Sequence, residues 1–281
     1  MRTMHTIPLL SATVVLAAGA GLLLTGTAQA KAAAVACSET ALVSAVNTTN
    51  AAGGGVITLT PGCTYTLTSA HGNDGTHGLD GLPPITTAVT FEGNANVITR
   101  RAGAPAFRIV QVSTTGNLTL KSVTLSNGSA TGLFSASNAG GGILNLGALT
   151  LTNSTVKNNS AAGTGGGVQS GGGASAATFT GSTLSGNTAL GDGGGLYNFG
   201  TATFTSSFIN GTNKGARGGG IASVNGILTL TSTPVSANRA SVSAGGIFRK
   251  AGTMTVTTSP ITANIPNNCV GSAPAVPSCT G

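Results

Sequence analysis

Residues 165–187, GGGVQSGGGASAATFTGSTLSGN, contain the pattern that decides the fold. A glycine cluster ends in the apolar Val168, and a Thr-Phe-Thr triplet then places Phe179 between two polar residues. Leu184 follows, with Asn187 three positions after it. Alternating polar and apolar residues are typical of a β-strand with one buried face, and glycine and asparagine favour turns. The stretch therefore predicts short strands joined by tight turns.

The same pattern returns along the chain with a period of about 26 residues and forms three apolar ladders. The first is Ile143, Val168, Leu196, Ile221 and Ile247; the second is Leu120, Leu151, Phe179, Phe204, Leu230 and Val256; the third is Leu125, Val156, Leu184, Phe208, Val235 and Ile261. A fixed period of this length indicates a solenoid, and the glycine runs and Thr-x-Thr patterns oppose helix. The predicted fold class is all-β: a right-handed parallel β-helix with three strands per coil, its hand following the general preference of parallel crossovers.

The composition fits this architecture and excludes several others. Of 281 residues, 45 are glycine and only 6% are charged, with a formal net charge of +7 and no tryptophan. A solvated helical bundle needs more charge on its outer faces, and a disordered chain combines low hydrophobicity with high net charge. The glycines lack the strict three-residue period of collagen.

The N-terminal residues have the pattern of a secretory signal peptide. Arg2 and His5 precede an apolar run over residues 7–24, and Ala-Gln-Ala at residues 28–30 is a small-x-small cleavage site, which makes Lys31 the first mature residue. We therefore expect a secreted, extracellular protein with no membrane span after removal of the signal. The predicted organisation is a signal peptide at 1–30, an N-terminal cap at 31–69, a glycine-rich loop at 70–84, β-helix coils at 85–264 and a C-terminal tail at 265–281.

Both ends of the solenoid carry sequence features that can close it. Ser38 can cap a short helix that runs to Asn47, with Leu42 and Val46 on one face. Such a helix would cover the open strand edges of the first coil. At the other end, four prolines over residues 260–277 stop strand growth.

Export makes the four cysteines readable as disulfides. Pairing by proximity gives Cys37–Cys63 and Cys269–Cys279, one of the three possible connectivities. A four-thiolate zinc site is the alternative, but neither pair has the short Cys-x2–4-Cys spacing of such sites. We predict a disulfide at each end and no metal or other cofactor.

The repeats resemble known families in architecture. Glycine clusters ending in an apolar residue, followed by an apolar-x-x-Asn unit, resemble the repeats of chlamydial polymorphic outer-membrane proteins. The segment from Cys37 to Cys63, with GGGVITL at residues 53–59, and GLPPI at residues 81–85 are similar to secreted right-handed parallel β-helix proteins of actinomycetes. Both belong to the pectate-lyase-like superfold, which implies the architecture strongly and an activity only weakly.

The acidic residues give little support to paired-carboxylate catalysis. There are five, Glu39, Asp74, Asp80, Glu92 and Asp192, and only Asp192 lies beyond residue 100. A usual glycoside hydrolase needs two carboxylates about 5–10 Å apart, which on stacked coils means acids at equivalent positions of neighbouring repeats. Asp192 has no such partner. A calcium-dependent lyase site also lacks its oxygen ligands.

The one concentration of polar chemistry is HGNDGTHGLD at residues 71–80. Three interpretations stay open for this loop: a glycine-rich surface loop in which Asp and Asn form turns, a metal site, or an acid/base set near arginines. No named metal motif matches its spacing. If the protein is an enzyme, the candidate catalytic residues are His71, Asp74, His77, Asp80, Arg100 and Arg101.

The remaining basic residues are scattered over many coils, as in a surface that meets anionic polymers or in ordinary solubilising charge. Few aromatics are available to stack on bases, so nucleic acid is not an expected partner. We expect a monomeric, non-catalytic, adhesin-like module that contacts polysaccharide or a cell-wall or host surface. The alternative is a polysaccharide lyase, or another carbohydrate-active enzyme, that uses Arg or His.

Two further arrays accompany the ladders. Asparagine lies three residues after the third ladder at 159, 187, 238 and 264, where it can form turns or bond along the axis. Thr-x-Thr pairs flank the second ladder at 150/152, 178/180, 203/205, 229/231 and 255/257. Because strand side chains alternate, these threonines should form two outward files. They resemble the threonine surfaces of ice-binding β-helical proteins; ordinary β-propensity is the alternative.

Overall fold

The computed structural model describes residues 33–132, 137–172 and 174–281, so the predicted signal peptide lies outside the described residues. The described chain forms a parallel β-solenoid of about 6 turns with one helix on its N-terminal side. Its elements are α1 (Glu39–Ala51), β1 (Gly54–Thr58), β2 (Thr64–Leu67), β3 (Gly72–Asn73), β4 (Leu79–Asp80), β5 (Ala88–Arg100), β6 (Val110–Val112), β7 (Asn117–Ser126), β8 (Ser129–Ala130), β9 (Ile143–Asn145), β10 (Ala148–Thr152), β11 (Thr155–Lys157), β12 (Ser160–Ala161), β13 (Val168–Ser170), β14 (Ala176–Thr180), β15 (Thr183–Ser185), β16 (Thr188–Ala189), β17 (Leu196–Asn198), β18 (Thr201–Thr205), β19 (Phe208–Asn210), β20 (Lys214–Arg217), β21 (Ile221–Val224), β22 (Ile227–Thr231), β23 (Val235–Ser236), β24 (Arg239–Ser243), β25 (Ile247–Lys250), β26 (Thr253–Thr257) and β27 (Ile261–Thr262).

The inner coils contain the three predicted strand segments and a fourth, very short one. One face, the threonine face, consists of β10, β14, β18, β22 and β26 together with the first halves of β5 and β7. The second halves of β5 and β7 pair in the adjoining row of strands, which goes on with β11, β15, β19, β23 and β27. The short-strand sheet has the order β24-β20-β16-β12-β8. The aromatic sheet has the order β25-β21-β17-β13-β9-β6. Equivalent strands of successive coils pair in parallel throughout.

The apolar ladders lie inside the solenoid, as predicted, with one correction. Phe179 is paired with Phe204, and their rings stack at 4.1 Å with an angle of 3°. In the third ladder, however, Leu184 pairs with Ile209 and not with Phe208. Ile209 is fully buried, whereas Phe208 points outward and is 48% exposed. The sequence register was wrong here by one residue, which in a strand exchanges the two faces.

The asparagines form a continuous buried ladder of hydrogen bonds along the axis. In it, the amide of Asn159 donates to Asn187, Asn187 to Asn213, Asn213 to Asn238, and Asn238 to Asn264, at 2.8–3.1 Å. Asn213 is the member from the coil that the sequence pattern left without a ladder asparagine, between Asn187 and Asn238. Each amide also donates to a main-chain carbonyl of the preceding coil, as Asn187 does to Val156 at 2.9 Å. These side chains therefore satisfy buried backbone groups at the turn, which would otherwise cost stability.

A second polar ladder was not predicted from the sequence. It consists of Ser154, Ser182, Ser207, Thr233 and Ser259, all buried. Each hydroxyl accepts the backbone N–H of the equivalent residue one coil earlier, at 2.9–3.1 Å between Ser154 and Ser182 and between Thr233 and Ser259. The residue before each member has positive φ, for example Asn153 at 49° and Ser206 at 48°. The hydroxyl ladder thus holds a sharp corner between two strands in every coil.

The glycine clusters are required by the close stacking of the coils. A Cβ atom on Gly141 would lie 2.1 Å from the carbonyl oxygen of Ser160, and one on Gly219 would lie 2.3 Å from that of Arg239. The first glycine of a cluster also has positive φ, 67° at Gly165 and 73° at Gly193. Only glycine accommodates both the contact and the conformation at low cost.

The two ends are closed as the sequence indicated. Ser38 caps α1 through a bond from the Ala41 N–H to its hydroxyl (3.2 Å), and the helix continues to Ala51, beyond the predicted end at Asn47. Leu42 and Val46 are the buried residues of the helix. The structure contains both predicted disulfides, Cys37–Cys63 and Cys269–Cys279. None of the helical residues that the structure describes forms a segment long and apolar enough to cross a membrane.

The threonine face carries the predicted files in register. Thr150, Thr178, Thr203, Thr229 and Thr255 pair in succession, and so do Thr152, Thr180, Thr205, Thr231 and Thr257. The first file continues through Thr119 to Thr90, whereas the second ends at Lys121, whose Nζ lies 3.1 Å from Glu92 Oε1.

Candidate functional site

The polar residues of the loop at 71–80 do not form one cluster but divide among three partners. His71 turns toward the N-terminal helix, where its Nε2 lies 2.8 Å from Glu39 Oε1. Glu39 also accepts bonds from the backbone N–H and hydroxyl of Thr68 (2.8 and 2.6 Å). Partial burial acts to raise the pKa of Glu39, but the bonds from Thr68 and His71 outweigh it and lower the pKa to about 2. His71 therefore joins the loop to the helix.

Asp74 and His77 form a hydrogen-bonded pair. Asp74 Oδ1 accepts the N–H groups of Thr76 and His77 at 2.9 and 2.7 Å. Asp74 Oδ2 accepts Gln111 Nε2 at 2.7 Å and lies 2.5 Å from His77 Nδ1. Partial burial opposes ionisation, yet the bonds from Gln111 and His77 lower the pKa of Asp74 well below its usual range. Because an ionised carboxylate only accepts, the Nδ1 atom of His77 is the donor in this contact.

Asp80 and Arg108 form an ion pair that is fully buried beneath the loop, with Nε and Oδ1 3.2 Å apart. Burial raises the pKa of Asp80 to about 8 against the attraction of Arg108, and it lowers the pKa of Arg108. Arg108 Nη2 also donates to the carbonyl oxygens of His77 and Ser137. Neither side chain is accessible to a ligand, so the pair positions the loop and, through the His77 carbonyl, the imidazole.

The two candidate arginines do not join this arrangement. Arg100 donates from Nε to the Asn127 carbonyl (2.8 Å) and from Nη1 to the Ala104 carbonyl (2.7 Å). Arg101 is exposed, and its guanidinium bonds to no residue that the structure describes. Of the six candidates, only Asp74 and His77 are brought into direct contact with each other by their side chains.

His77 lines an open cleft of about 250 Å³ on the outer surface of the aromatic sheet. The other lining residues are Leu144, Leu146, Gln169, Gly171, Gly172, Tyr197 and Phe199. Tyr197 and Gln169 pair in register on adjacent strands, and Phe199 is 44% exposed. The volume is below the roughly 300–1,000 Å³ of sites that enclose a small molecule, so the cleft suits part of an extended ligand.

An ion pair and a small apolar cluster lie beside Tyr197 on the C-terminal side of the cleft. Arg217 binds Asp192 with two bonds, Nε to Oδ1 at 3.0 Å and Nη2 to Oδ2 at 2.6 Å. The same guanidinium lies 4.5 Å from the ring centre of Phe248, which belongs to a small cluster against which Tyr197 packs. Burial, with the nearby Asp192 charge, raises the pKa of Tyr197. Tyr197 is thus a fixed, neutral phenol.

Sequence analysis did not identify Gln169, Tyr197 or Phe199, although a signal for them exists. In each coil, the residue after the first ladder points outward on the aromatic sheet, and it is large or amide-bearing in most coils: Leu144, Gln169, Tyr197 and Phe248. The outward positions of the threonine face are mostly threonine. Outward positions without threonine or serine therefore mark a different surface. Gln111 occupies the same position in the preceding coil.

Within the described ranges, no three His, Cys, Asp or Glu side chains come close enough to hold a metal ion. The chain matches no protein-family model, no curated protein and no solved structure. The resemblance to actinomycete and chlamydial repeats therefore has support only in the parallel β-solenoid architecture and its repeats.

Proposed function

We propose that the protein is a secreted, surface-associated β-solenoid that contacts polysaccharide without transforming it, as a monomeric, adhesin-like module. The N-terminal signal pattern and the two disulfides support secretion. The observation that carries the binding proposal is the cleft, where Tyr197 and Phe199 lie beside the Gln169 amide and the His77 imidazole. Aromatic faces pack on the apolar faces of sugar rings, while a few placed polar groups bind hydroxyls.

A matched pair of phenylalanines tests this proposal. Phe199 in the cleft is 44% exposed, and Phe208 on a different face is 48% exposed. We expect Phe199→Ala to weaken binding to any polysaccharide identified on a glycan array by about tenfold, the effect of truncating an aromatic anchor. Phe208→Ala should leave affinity unchanged. Equal affinities of the two variants, or no glycan bound by the natural chain, would contradict the proposal.

The His77–Asp74 pair favours one second candidate, a polysaccharide lyase. In a uronate substrate, His77 Nε2 would take the proton from the carbon next to the carboxylate. The glycosidic C–O bond at the neighbouring carbon then breaks, a C=C bond forms, and the leaving oxygen takes up a proton. Tyr197, which lines the same cleft, has a hydroxyl that can supply that proton.

A lyase assay separates the two candidates, because each elimination creates an unsaturated, ultraviolet-absorbing product. Turnover that is lost in His77→Gln and kept in His71→Gln would establish the enzyme. Binding without any such product would establish the non-catalytic module.

A further inference from the structure

A second groove, of about 650 Å³, lies on the outer surface of the short-strand sheet, away from the residues that form the cleft. Lys214 and Arg239 lie in it, and both are exposed. Its lining includes three aliphatic side chains that point into solvent: Leu190 at 74%, Val242 at 68% and Ile265 at 52% exposure. Isolated exposed aliphatic residues are common, but three around one basic groove form a surface of mixed apolar and cationic character.

The two basic residues form an uncompensated pair. Lys214 and Arg239 are directly opposite each other on adjacent strands, about 4.8 Å apart along the axis. Like charges in this position destabilise a sheet. Neither side chain has a hydrogen bond or ion pair with any residue that the structure describes. The five carboxylates cannot relieve the repulsion, because each contacts another base: His71, His77, Arg108, Lys121 or Arg217.

The groove is poorly suited to sugars or nucleic acids. It contains no aromatic side chain on which a sugar ring or a base could stack. Two cations are also too few for a nucleic acid, which carries one negative charge per about 1.7 Å of duplex. Aliphatic side chains beside basic ones are instead the combination that binds a lipid surface, because the apolar groups enter the acyl boundary while the cations contact anionic headgroups.

We propose that this groove docks the protein on an anionic lipid bilayer. A lipid phosphate occupies the groove between Lys214 and Arg239, and Leu190, Val242 and Ile265 enter the interface around it. The contact is peripheral and reversible, since three aliphatic residues and two charges provide far less than a spanning helix. It is independent of the polysaccharide cleft.

The test measures partitioning onto vesicles of phosphatidylcholine alone and of phosphatidylcholine with phosphatidylglycerol in equal parts, by sedimentation at low and high salt. Protein is collected from the medium of an expressing host, and all variants have the same N-terminus. Each basic residue near an anionic surface contributes about fivefold, so Lys214→Ser/Arg239→Ser should lose about 25-fold in partitioning onto the anionic vesicles. Leu190→Ser/Val242→Ser should lose the part of the vesicle binding that the natural chain retains at high salt.

The control Arg101→Ser/Lys157→Ser removes the same net charge from exposed positions outside the groove and should lose less than about threefold, because screening weakens distant charges. Phe199→Ala should partition like the natural chain, which keeps this result separate from the polysaccharide proposal. Equal losses in Lys214→Ser/Arg239→Ser and Arg101→Ser/Lys157→Ser would overturn the proposal, because binding would then follow net charge alone. So would equal partitioning onto both vesicle types, or binding of inorganic phosphate or an acidic polysaccharide in the groove without vesicle binding.

Discussion

The asparagine ladder makes a quantitative prediction at Asn187. Its Oδ1 atom accepts both the N–H and the side-chain amide of Asn159 at 3.0 Å, and its Nδ2 atom donates to Val156 O and Asn213 Oδ1 at 2.9 and 3.0 Å. Asn187→Ala removes all four bonds and leaves their partners buried. At about 1 kcal/mol for each bond, and more where a group stays unsatisfied, we expect a loss of about 4–6 kcal/mol in the free energy of unfolding.

Urea unfolding followed by circular dichroism measures this loss, with Asn117→Ala as the control. Asn117 is exposed at the start of β7 and, among the described residues, its side chain forms no hydrogen bond. Its replacement should change stability by less than about 0.5 kcal/mol. Because a solenoid can unfold coil by coil, native-state hydrogen exchange should also show the amides of the neighbouring coils losing protection first.

An aspartate at the same position sharpens the test. Asn187→Asp faces the carbonyl oxygen of Val156 and the amide oxygen of Asn213 with a group that cannot donate when ionised. We expect this variant to be less stable than Asn187→Ala at pH 7 and to recover at pH 4, where a protonated carboxyl can donate again. If Asn187→Ala lies within about 1 kcal/mol of the Asn117 control, the ladder does not hold the coils together and the reasoning fails.

Four further predictions concern the core, the buried Asp80–Arg108 pair and, in two cases, the N-terminal end. Leu151, which is fully buried, should not tolerate aspartate: Leu151→Asp places an unpaired charge in the core, and the variant should lack a cooperative melting transition, whereas retention of one would place the residue outside the core. The raised pKa of Asp80, about 8, makes the folded state bind more protons than the unfolded state between about pH 4 and 8, so the melting temperature should fall as pH rises through that window. This pH dependence should vanish in Asp80→Asn. A pH dependence that the substitution leaves unchanged would mean that Asp80 is not its source. The lowered pKa of Glu39, about 2, acts in the opposite sense, so stability should be lost as pH falls from about 4.5 to 2, and to a smaller extent in Glu39→Gln. Replacing Cys37 and Cys63 by serine opens a loop of 26 residues and should cost about 3–4 kcal/mol by chemical denaturation; an unchanged midpoint would mean that the bond does not constrain the unfolded chain.

The fold could be predicted from the sequence because every coil of a solenoid repeats the same residue pattern. Each ladder position is sampled in several coils, so the period was clear even where a single coil was ambiguous. The register failed at Phe208-Ile209, where two apolar neighbours compete for one inward position. The hydroxyl ladder would have decided between them, because its members precede the third ladder by two residues, and Ser207 therefore selects Ile209.

The site could not be predicted to the same extent, because its contacts join distant and non-repeating residues. Gln111, more than 30 positions away, binds Asp74, and Arg108 is buried against Asp80. The His and Asp residues of the loop at 71–80 lie close together in sequence and therefore suggested one cluster. In the structure they bind different partners. The inward ladders carry no information on Tyr197 and Phe199, which lie at outward positions of the aromatic sheet.

The hydrogen-bond ladders also bear on how such a chain can change length over evolutionary time. Each inner coil presents the same donors and acceptors to the coil before it as it receives from the coil after it, so the junction between any two coils is interchangeable. An in-frame duplication or loss of one whole repeat, such as residues 188–213, would restore the bonds of both ladders at the new junction, whereas a change of half a repeat would leave the two ladders broken. Unequal recombination between repeats should therefore yield shorter and longer chains that fold, with the helix and the disulfide-bonded tail kept as fixed ends.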